Sequence, residues 1–465
     1  MRSRRLHITT ISVVVSAVLL TGCASRSTPK RPPLASHQPP TRVTEPSEGD
    51  IPGVALPENP RLVDYLRYAS LKNPGLQAAF YHWRAALERV PQARALPDPR
   101  FNYGYFIEQV ETRVGPQRQR FGISQTFPWF GKLRLQGNQA GEAAIAAQNS
   151  YEQAKLKLFF EVKDAYFELA YLRQAIQLSE ENVELIKHLE SVAQARFRTG
   201  SDATGVVKAQ LELGKLEDTL KTLRDLRKPL DARLNAALSR DSEAPLAWPS
   251  DIESRNVVFD DDSVIRRLQE SNPELAKLDA KIRESEVRVS LAKKSFFPDL
   301  TLGVDYIETG DARLAGVVDS GKDPVLITGS INLPLWLGKN RAGLKEAEAR
   351  LAEASKGREN REHTLLADLK MALYRFRDAE RKVSLFGDTL TPLAENSLGV
   401  AEQAYQAGRA GFLELIDAQR LLLDIQLSYQ RAIADREQRL AQIEMIIGED
   451  LDSIESPMMN NEEDQ

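Results

Sequence analysis

Two stretches of this chain carry the same apolar spacing, and that spacing decides what the chain can become. In the first, Leu158, Val162, Ala165, Leu169, Leu172, Ile176, Ser179, Val183 and Ile186 fall at alternating intervals of four and three. In the second, Leu365, Leu369, Ala372, Phe376, Ala379, Val383, Phe386, Leu390 and Leu393 repeat the pattern 207 positions later. A sustained period of 3.5 residues is a coiled-coil seam, so each stretch is committed to a long helix packed along its length. The helix expected from about 132 to 198 would extend on the order of 100 Å at 1.5 Å per residue. Globular helices average nearer a dozen residues, which argues against an ordinary bundle core.

Other landmarks recur in the same order. Asn73-Pro74 returns as Asn272-Pro273, Pro97-Asp98 as Pro298-Asp299, Gly131-Lys132 as Gly338-Lys339, and Gly200 as Gly408. The offset creeps from 199 to 208, as small insertions would produce. A unit this long is no solenoid repeat of 20–50 residues; a whole fold has been duplicated. Each copy reads as a helix, two short strands, a very long helix, a glycine break and a returning helix. The first spans 61–250, with strands at 101–109 and 117–127 and a coiled-coil hairpin at 132–239. The second spans 251–450, with strands at 300–307 and 325–333 and a hairpin at 339–447. Glycine at each hairpin tip supplies the left-handed backbone that a tight helix end requires.

The strand segments alternate. LTLGVDYI sets Leu300, Leu302, Val304 and Tyr306 against Thr301, Gly303 and Asp305, and FNYGYFIEQ sets Phe101, Tyr103, Tyr105 and Ile107 on one face. Eight aromatics fall within residues 97–131, in a chain that is only 7% aromatic. Strands of this length, flanked by aromatics, suit a bilayer crossed at a tilt. Four strands cannot close a barrel, and open edges cannot sit in lipid. A barrel must therefore be shared between chains, and three chains would supply twelve strands. The phrases FPWFGK (127–132) and LPLWLGK (333–339) then mark where a strand leaves the membrane and becomes a helix. Trp129 and Trp336 are expected at the interface, with Lys132 and Lys339 on its periplasmic side.

The beginning of the chain agrees with an envelope location. Arg2, Arg4 and Arg5 precede an apolar run from Ile8 to Leu20, a pattern expected of a signal peptide over 1–22. Leu20-Thr21-Gly22-Cys23 follows, and Cys23 is the only cysteine. No disulfide within the chain and no thiolate zinc site is possible. Residues 23–60, with nine prolines between 24 and 60, are expected to form a linker, and 451–465 an acidic flexible tail. Net charge is −4, which gives no reason to expect a nucleic-acid partner. His82, His188 and His363 lack metal-ligand spacing, and no nucleophile elbow, phosphate loop or zinc-protease motif is present. Neither an enzyme nor a cofactor-binding or metal-binding protein is expected.

Together, the lipobox-like end at Cys23, the duplicated Asn-Pro helix, the Pro-to-Gly-Lys junctions and the paired glycine tips resemble the TolC-like outer-membrane efflux proteins. The resemblance covers about residues 58–450. It implies a mainly α fold with a small membrane β part, built as a homotrimer with a twelve-stranded β-barrel and a long periplasmic α-barrel tunnel. It implies an outer-membrane exit duct, lipid-anchored through Cys23, that meets a periplasmic adaptor protein and an inner-membrane pump of the RND type. The QTFPWFGK phrase is similar to the heavy-metal branch, although small-molecule or drug export is equally allowed. Acidic residues six and nine positions after the second tip glycine often close the tunnel in this family. Here these are Glu414 and Asp417, three apart on one helix face; Val206 and Ala209 hold the matching places after Gly200. The tips at Gly200-Ser201 and Gly408-Arg409 are implied adaptor-docking points. A periplasmic coiled-coil adaptor and a structural lipoprotein without a pore are the competing readings.

Overall fold

The computed structural model of the chain describes residues 55–200, 203–252, 257 and 259–451. The signal segment, Cys23, Ser201 and the tail after 451 lie outside the described residues. The first unit comprises α1 (Leu62–Lys72), α2 (Pro74–Arg94), β1 (Arg100–Thr112), β2 (Gly115–Phe127), α3 (Lys132–Arg198) and α4 (Thr204–Leu238). The second comprises α5 (Asp261–Ser271), α6 (Pro273–Lys294), β3 (Leu300–Thr309), β4 (Val325–Ile331), α7 (Leu337–Ser384), a π-helical segment (Leu385–Leu390), α8 (Thr391–Gln406) and α9 (Phe412–Ile447). The 67 residues of α3 form one uninterrupted helix, about 100 Å long. Along its length it packs against α2, α4, α6 and α9.

The duplication extends to the core. Tyr65, Ala69 and Leu76 pack with Leu158, Val162, Ala165 and Leu169 of α3 and with Ala237 and Leu238 of α4. Their counterparts Val264, Leu268 and Leu275 pack with Leu365, Leu369, Ala372 and Phe376 of α7 and with Ile446 and Ile447 of α9. The first four seam positions of each unit thus close the same three-way helix contact. At mid-height the hairpins of the two units are joined by charge. Lys163 lies 2.5 Å from Glu444, both largely buried, and Arg431 bonds Glu168 at 2.9 Å. Such pairs fix which helices meet more than they add stability, because desolvation offsets much of the attraction.

The repeated Asn-Pro pair has a geometric cause. Asn73 and Asn272 each cap the following helix through the side-chain oxygen, to Leu76 N at 3.0 Å and Leu275 N at 2.9 Å. Proline follows at the first helical position, where its missing N–H costs nothing. The same amides reach out and donate to the end of the returning helix, Asn73 to Ala237 O at 3.0 Å and Asn272 to Ile446 O at 2.6 Å. One residue therefore starts one helix and ties down another. Asn272 is buried, so Asn272→Ala should remove a cap worth about 1 kcal/mol. It should also orphan a buried carbonyl at a further cost of roughly 1–3 kcal/mol. Urea unfolding should report the sum.

The second long helix differs from the first. The spacing predicts a seam running through Leu393, but Leu393 is 58% exposed and its neighbour Ala394 is buried instead. The π segment is the reason. Pro392 cannot donate to Asp388 O, and its ring would clash there in a regular helix. The widened turn, in which Thr391 N bonds Phe386 O, accommodates it. The extra residue rotates everything beyond it by one position. The seam resumes at Ala394, Leu398, Ala401 and Tyr405, again at four-three-four. Gly387 sits inside this segment against Tyr429, where a β-carbon would meet the ring at 2.8 Å.

All four strands form one antiparallel sheet in the order β1-β2-β3-β4. The central pairing of β2 with β3 joins the two units, and β1 and β4 are left as edges. Register sorts the faces: Phe101 stands opposite Ile123, Ile123 opposite Val304, and Val304 opposite Ile327. The pleat puts these on one face with Tyr103, Phe121, Leu302 and Leu300. Most of these apolar side chains are exposed. The other face carries Asn102, Arg120, Ser124, Thr301, Asp305, Thr328 and Ser330. There Arg120 donates twice to Asp305, at 3.0 and 2.8 Å. Gly122 lies opposite Asp305 and leaves room for its carboxylate; a β-carbon there would overlap it. Among the described residues, no helix is long and apolar enough to cross a membrane.

Candidate functional site

The features that sequence analysis singled out fall at opposite ends of the molecule. At one end are the two helical tips. Both end in a left-handed glycine, Gly200 at φ 103° and Gly408 at φ 69°. At the second tip Gly408 N bonds Tyr405 O at 3.1 Å and Arg409 N bonds Ala404 O at 2.8 Å. This bond pair ends a helix and satisfies its last carbonyls. Arg409 projects from it, exposed.

Just behind the tips the two hairpins are sealed together. Tyr405, Phe412, Leu415 and Ile416 of the second unit share an apolar cluster with Val183, Ile186, Ala193 and Ala209 of the first. Gly205 passes beneath the ring of Phe412, where a β-carbon would touch at 3.4 Å. Arg196 stacks on Tyr405 at 3.9 Å and donates to its carbonyl at 2.7 Å.

Glu414 and Asp417 lie in the first two turns of α9, exposed, on the side away from buried Leu415 and Ile416. Asp417 is 3.4 Å from Arg420. Arg420 in turn makes a short ion pair with Glu212 of α4. The Glu212 side chain is 7% exposed and that of Arg420 43%. The hydrogen bond from Arg420 holds the Glu212 carboxyl below its ordinary range, against the opposing effect of burial. Sequence reasoning missed this pair, although a signal was present. Glu212 and Arg420 are 208 apart, the same offset as Gly200 and Gly408. They are equivalent positions of the two units with opposite charges, and such positions can meet where two copies of one hairpin cross.

At the other end are the strand-to-helix junctions. Lys132 is not directed outward. Its ammonium lies 2.7 Å from Asp299 and 3.2 Å from Phe297 O, with the side chain only 15% exposed. Trp129 donates its backbone N–H to Asp299 at 2.7 Å and stacks on Phe297 at 5.3 Å. The first junction is therefore docked on the second unit. Trp336 is 79% exposed and Lys339 is exposed as well. Among the described residues no group of His, Cys, Asp and Glu is arranged to hold a metal ion.

A sequence profile described as outer membrane efflux protein matches residues 66–240 and 264–449, one match in each unit. The chain is 23% identical to Nodulation protein T of Rhizobium leguminosarum bv. trifolii over 93% of this chain and 95% of that protein. It is 25% identical to the pyoverdine export outer membrane protein OpmQ of Pseudomonas putida, over 65% of this chain and 64% of the relative. Among solved structures, CusC superposes with a TM-score of 0.73 at 16% identity, covering 84% of this chain and 93% of the other.

Proposed function

The chain belongs to the outer membrane efflux protein family, and we propose that three copies of it build one duct from the periplasm to the outside. It is an outer-membrane exit duct for efflux, and the family match over both units does not fit a periplasmic adaptor or a pore-free scaffold. The observation that carries the trimer is the sheet. It has two open edges, one exposed apolar face and one polar face. Open edges are not tolerated in hydrocarbon, and the smallest bacterial barrels have eight strands. Three copies close twelve strands with the apolar face toward lipid, and their helices continue as a tunnel.

In this reading the duct conducts passively, and a periplasmic adaptor and an RND-type inner-membrane pump supply energy and most of the selectivity. The tips around Gly200, Ser201, Gly408 and Arg409 are the adaptor-docking points. Cys23 carries the lipid anchor. Trp129 and Trp336 lie near the membrane boundary. Glu414 and Asp417, brought together threefold, place six carboxylates at the periplasmic mouth. That ring attracts cations and narrows passage. The cargo is small molecules or metal ions.

Planar-bilayer recording of the purified protein tests this. Small cation-selective currents are expected, growing and losing selectivity in a Glu414→Ala/Asp417→Ala variant. Currents that ignore both substitutions would move the gate elsewhere, and a single-chain mass in the same sample would remove the shared barrel. Palmitate labelling of that preparation, lost in Cys23→Ser, checks the anchor.

A further inference from the structure

The two junctions are copies of one sequence, yet the Trp and Lys of only one of them dock on the segment leading into a strand of the other unit. Trp129 and Lys132 of the first unit dock on Phe297 and Asp299, the residues that lead into β3 of the second. By the duplication, Trp336 and Lys339 correspond to Trp129 and Lys132, and Leu96 and Asp98 correspond to Phe297 and Asp299. In this chain those second-set residues do not meet. Trp336 is 79% and Leu96 47% exposed, and Asp98 and Lys339 are exposed. Among the described residues, neither Asp98 nor Lys339 has an ion-pair partner. The turn differs too. Gly131 takes the left-handed conformation and Lys132 N bonds Trp129 O at 2.9 Å. Trp336 stands at φ −82° and ψ 65°, and around it Leu335 N and Leu337 N each bond a carbonyl only two residues back.

The sheet carries the same asymmetry. β2 is paired with β3, and the two strands left as edges are β1, which follows Asp98, and β4, which precedes Trp336. Resting on the homotrimer reading, we infer that Trp336 and Lys339 of one copy dock on Leu96 and Asp98 of the next. They reproduce between chains the contact that Trp129 and Lys132 make within one. β4 pairs with β1 of the neighbour as β2 pairs with β3. Gln125 lies opposite Leu302 in the chain, so Ile331 lies opposite Phe101 of the next copy. The contact is heterologous: each copy gives a Trp-Lys junction at one edge and receives one at the other. Such contacts propagate in one rotational sense until the ring closes.

Cross-linking in the full-length protein in outer membranes tests the inference. An Asp98→Cys/Lys339→Cys variant, treated with a short bifunctional thiol reagent, should give a denaturing-gel ladder that ends at three chains. Each single variant should give no ladder, which also controls for Cys23. A Lys132→Cys/Asp299→Cys variant should be bridged within one chain, consuming both introduced thiols without giving a multi-chain band, which shows that the reagent spans this geometry. Lys339→Asp and Asp98→Lys should each lower the recovered trimer by about tenfold, the equivalent of 1.4 kcal/mol. The two together should restore it to within about twofold. A three-chain native mass without a 98/339 ladder, or a charge swap that restores nothing, overturns this contact and leaves the trimer standing. A single-chain native mass overturns the trimer and the contact together.

Discussion

With the described tips taken as the closed state of the proposed trimeric duct, Arg420→Ala should raise the mean current through each channel by about ten- to a hundredfold without changing the oligomer. Arg420 crosses from α9 to α4 and neutralises a carboxylate that is otherwise almost wholly buried. A hydrogen bond to a charged group contributes roughly 1.5–3 kcal/mol, and each 1.4 kcal/mol is a factor of ten in an equilibrium. The apolar contacts of Phe412, Leu415 and Ile416 hold the hairpins together as well. The ion pair is the part that one substitution can remove while leaving that packing in place. Glu212→Gln should have a smaller effect in the same direction. A folded trimer of Arg420→Ala with wild-type current would mean that this pair does not hold the tips closed.

The pair also fixes a pH dependence. The Glu212 carboxyl is held below its ordinary value by the hydrogen bond from Arg420. Its contribution is therefore fully present above the free glutamate value of about 4.3. It is lost only as pH falls through the lowered value that the Arg420 contact imposes. Wild-type current attributable to this pair should be flat from about pH 5 to 8 and rise only in stronger acid. A rise centred near neutrality would point to another group.

Val304→Arg should abolish assembly into the outer membrane. Val304 lies between Ile123 and Ile327 on the exposed apolar face, near the middle of β3. An arginine facing lipid near the midplane costs about 2–4 kcal/mol, and the shared barrel proposed above would incur that cost once per chain. Ser330→Arg supplies the control. It lies on the polar face, beside Thr301, and should assemble normally. Heat-resistant trimer recovered from membranes measures both. If Ser330→Arg failed while Val304→Arg assembled, the lipid and lumen faces would be exchanged.

Much of this architecture follows from the sequence because it depends on local periodicity. The 3.5-residue seam commits residues 132–198 to one helix, and α3 occupies that range. Alternation over 300–307 sorts Leu302 and Val304 from Thr301 and Asp305 wherever the strand pairs, since the pleat has a period of two. Repetition at near-constant offset announces two copies of one fold, and the matching cores of the two units follow from it. The landmarks Asn73, Asn272, Gly200 and Gly408 are legible because one backbone geometry favours one residue type.

Other features required the tertiary structure. The seam fails at Leu393 because Pro392, next to it, forces a wider turn, and the cost of a regular turn there depends on what packs beside Gly387. Lys132 turned inward because Asp299, 167 residues away, lies beneath it. Arg420 found Glu212 only because two hairpins cross at equivalent positions. A sequence states which face a side chain occupies on its own helix or strand. Which charge stands across from it depends on how separate elements are juxtaposed, and an attraction that falls with distance and is screened by water has no value until that distance and burial are set.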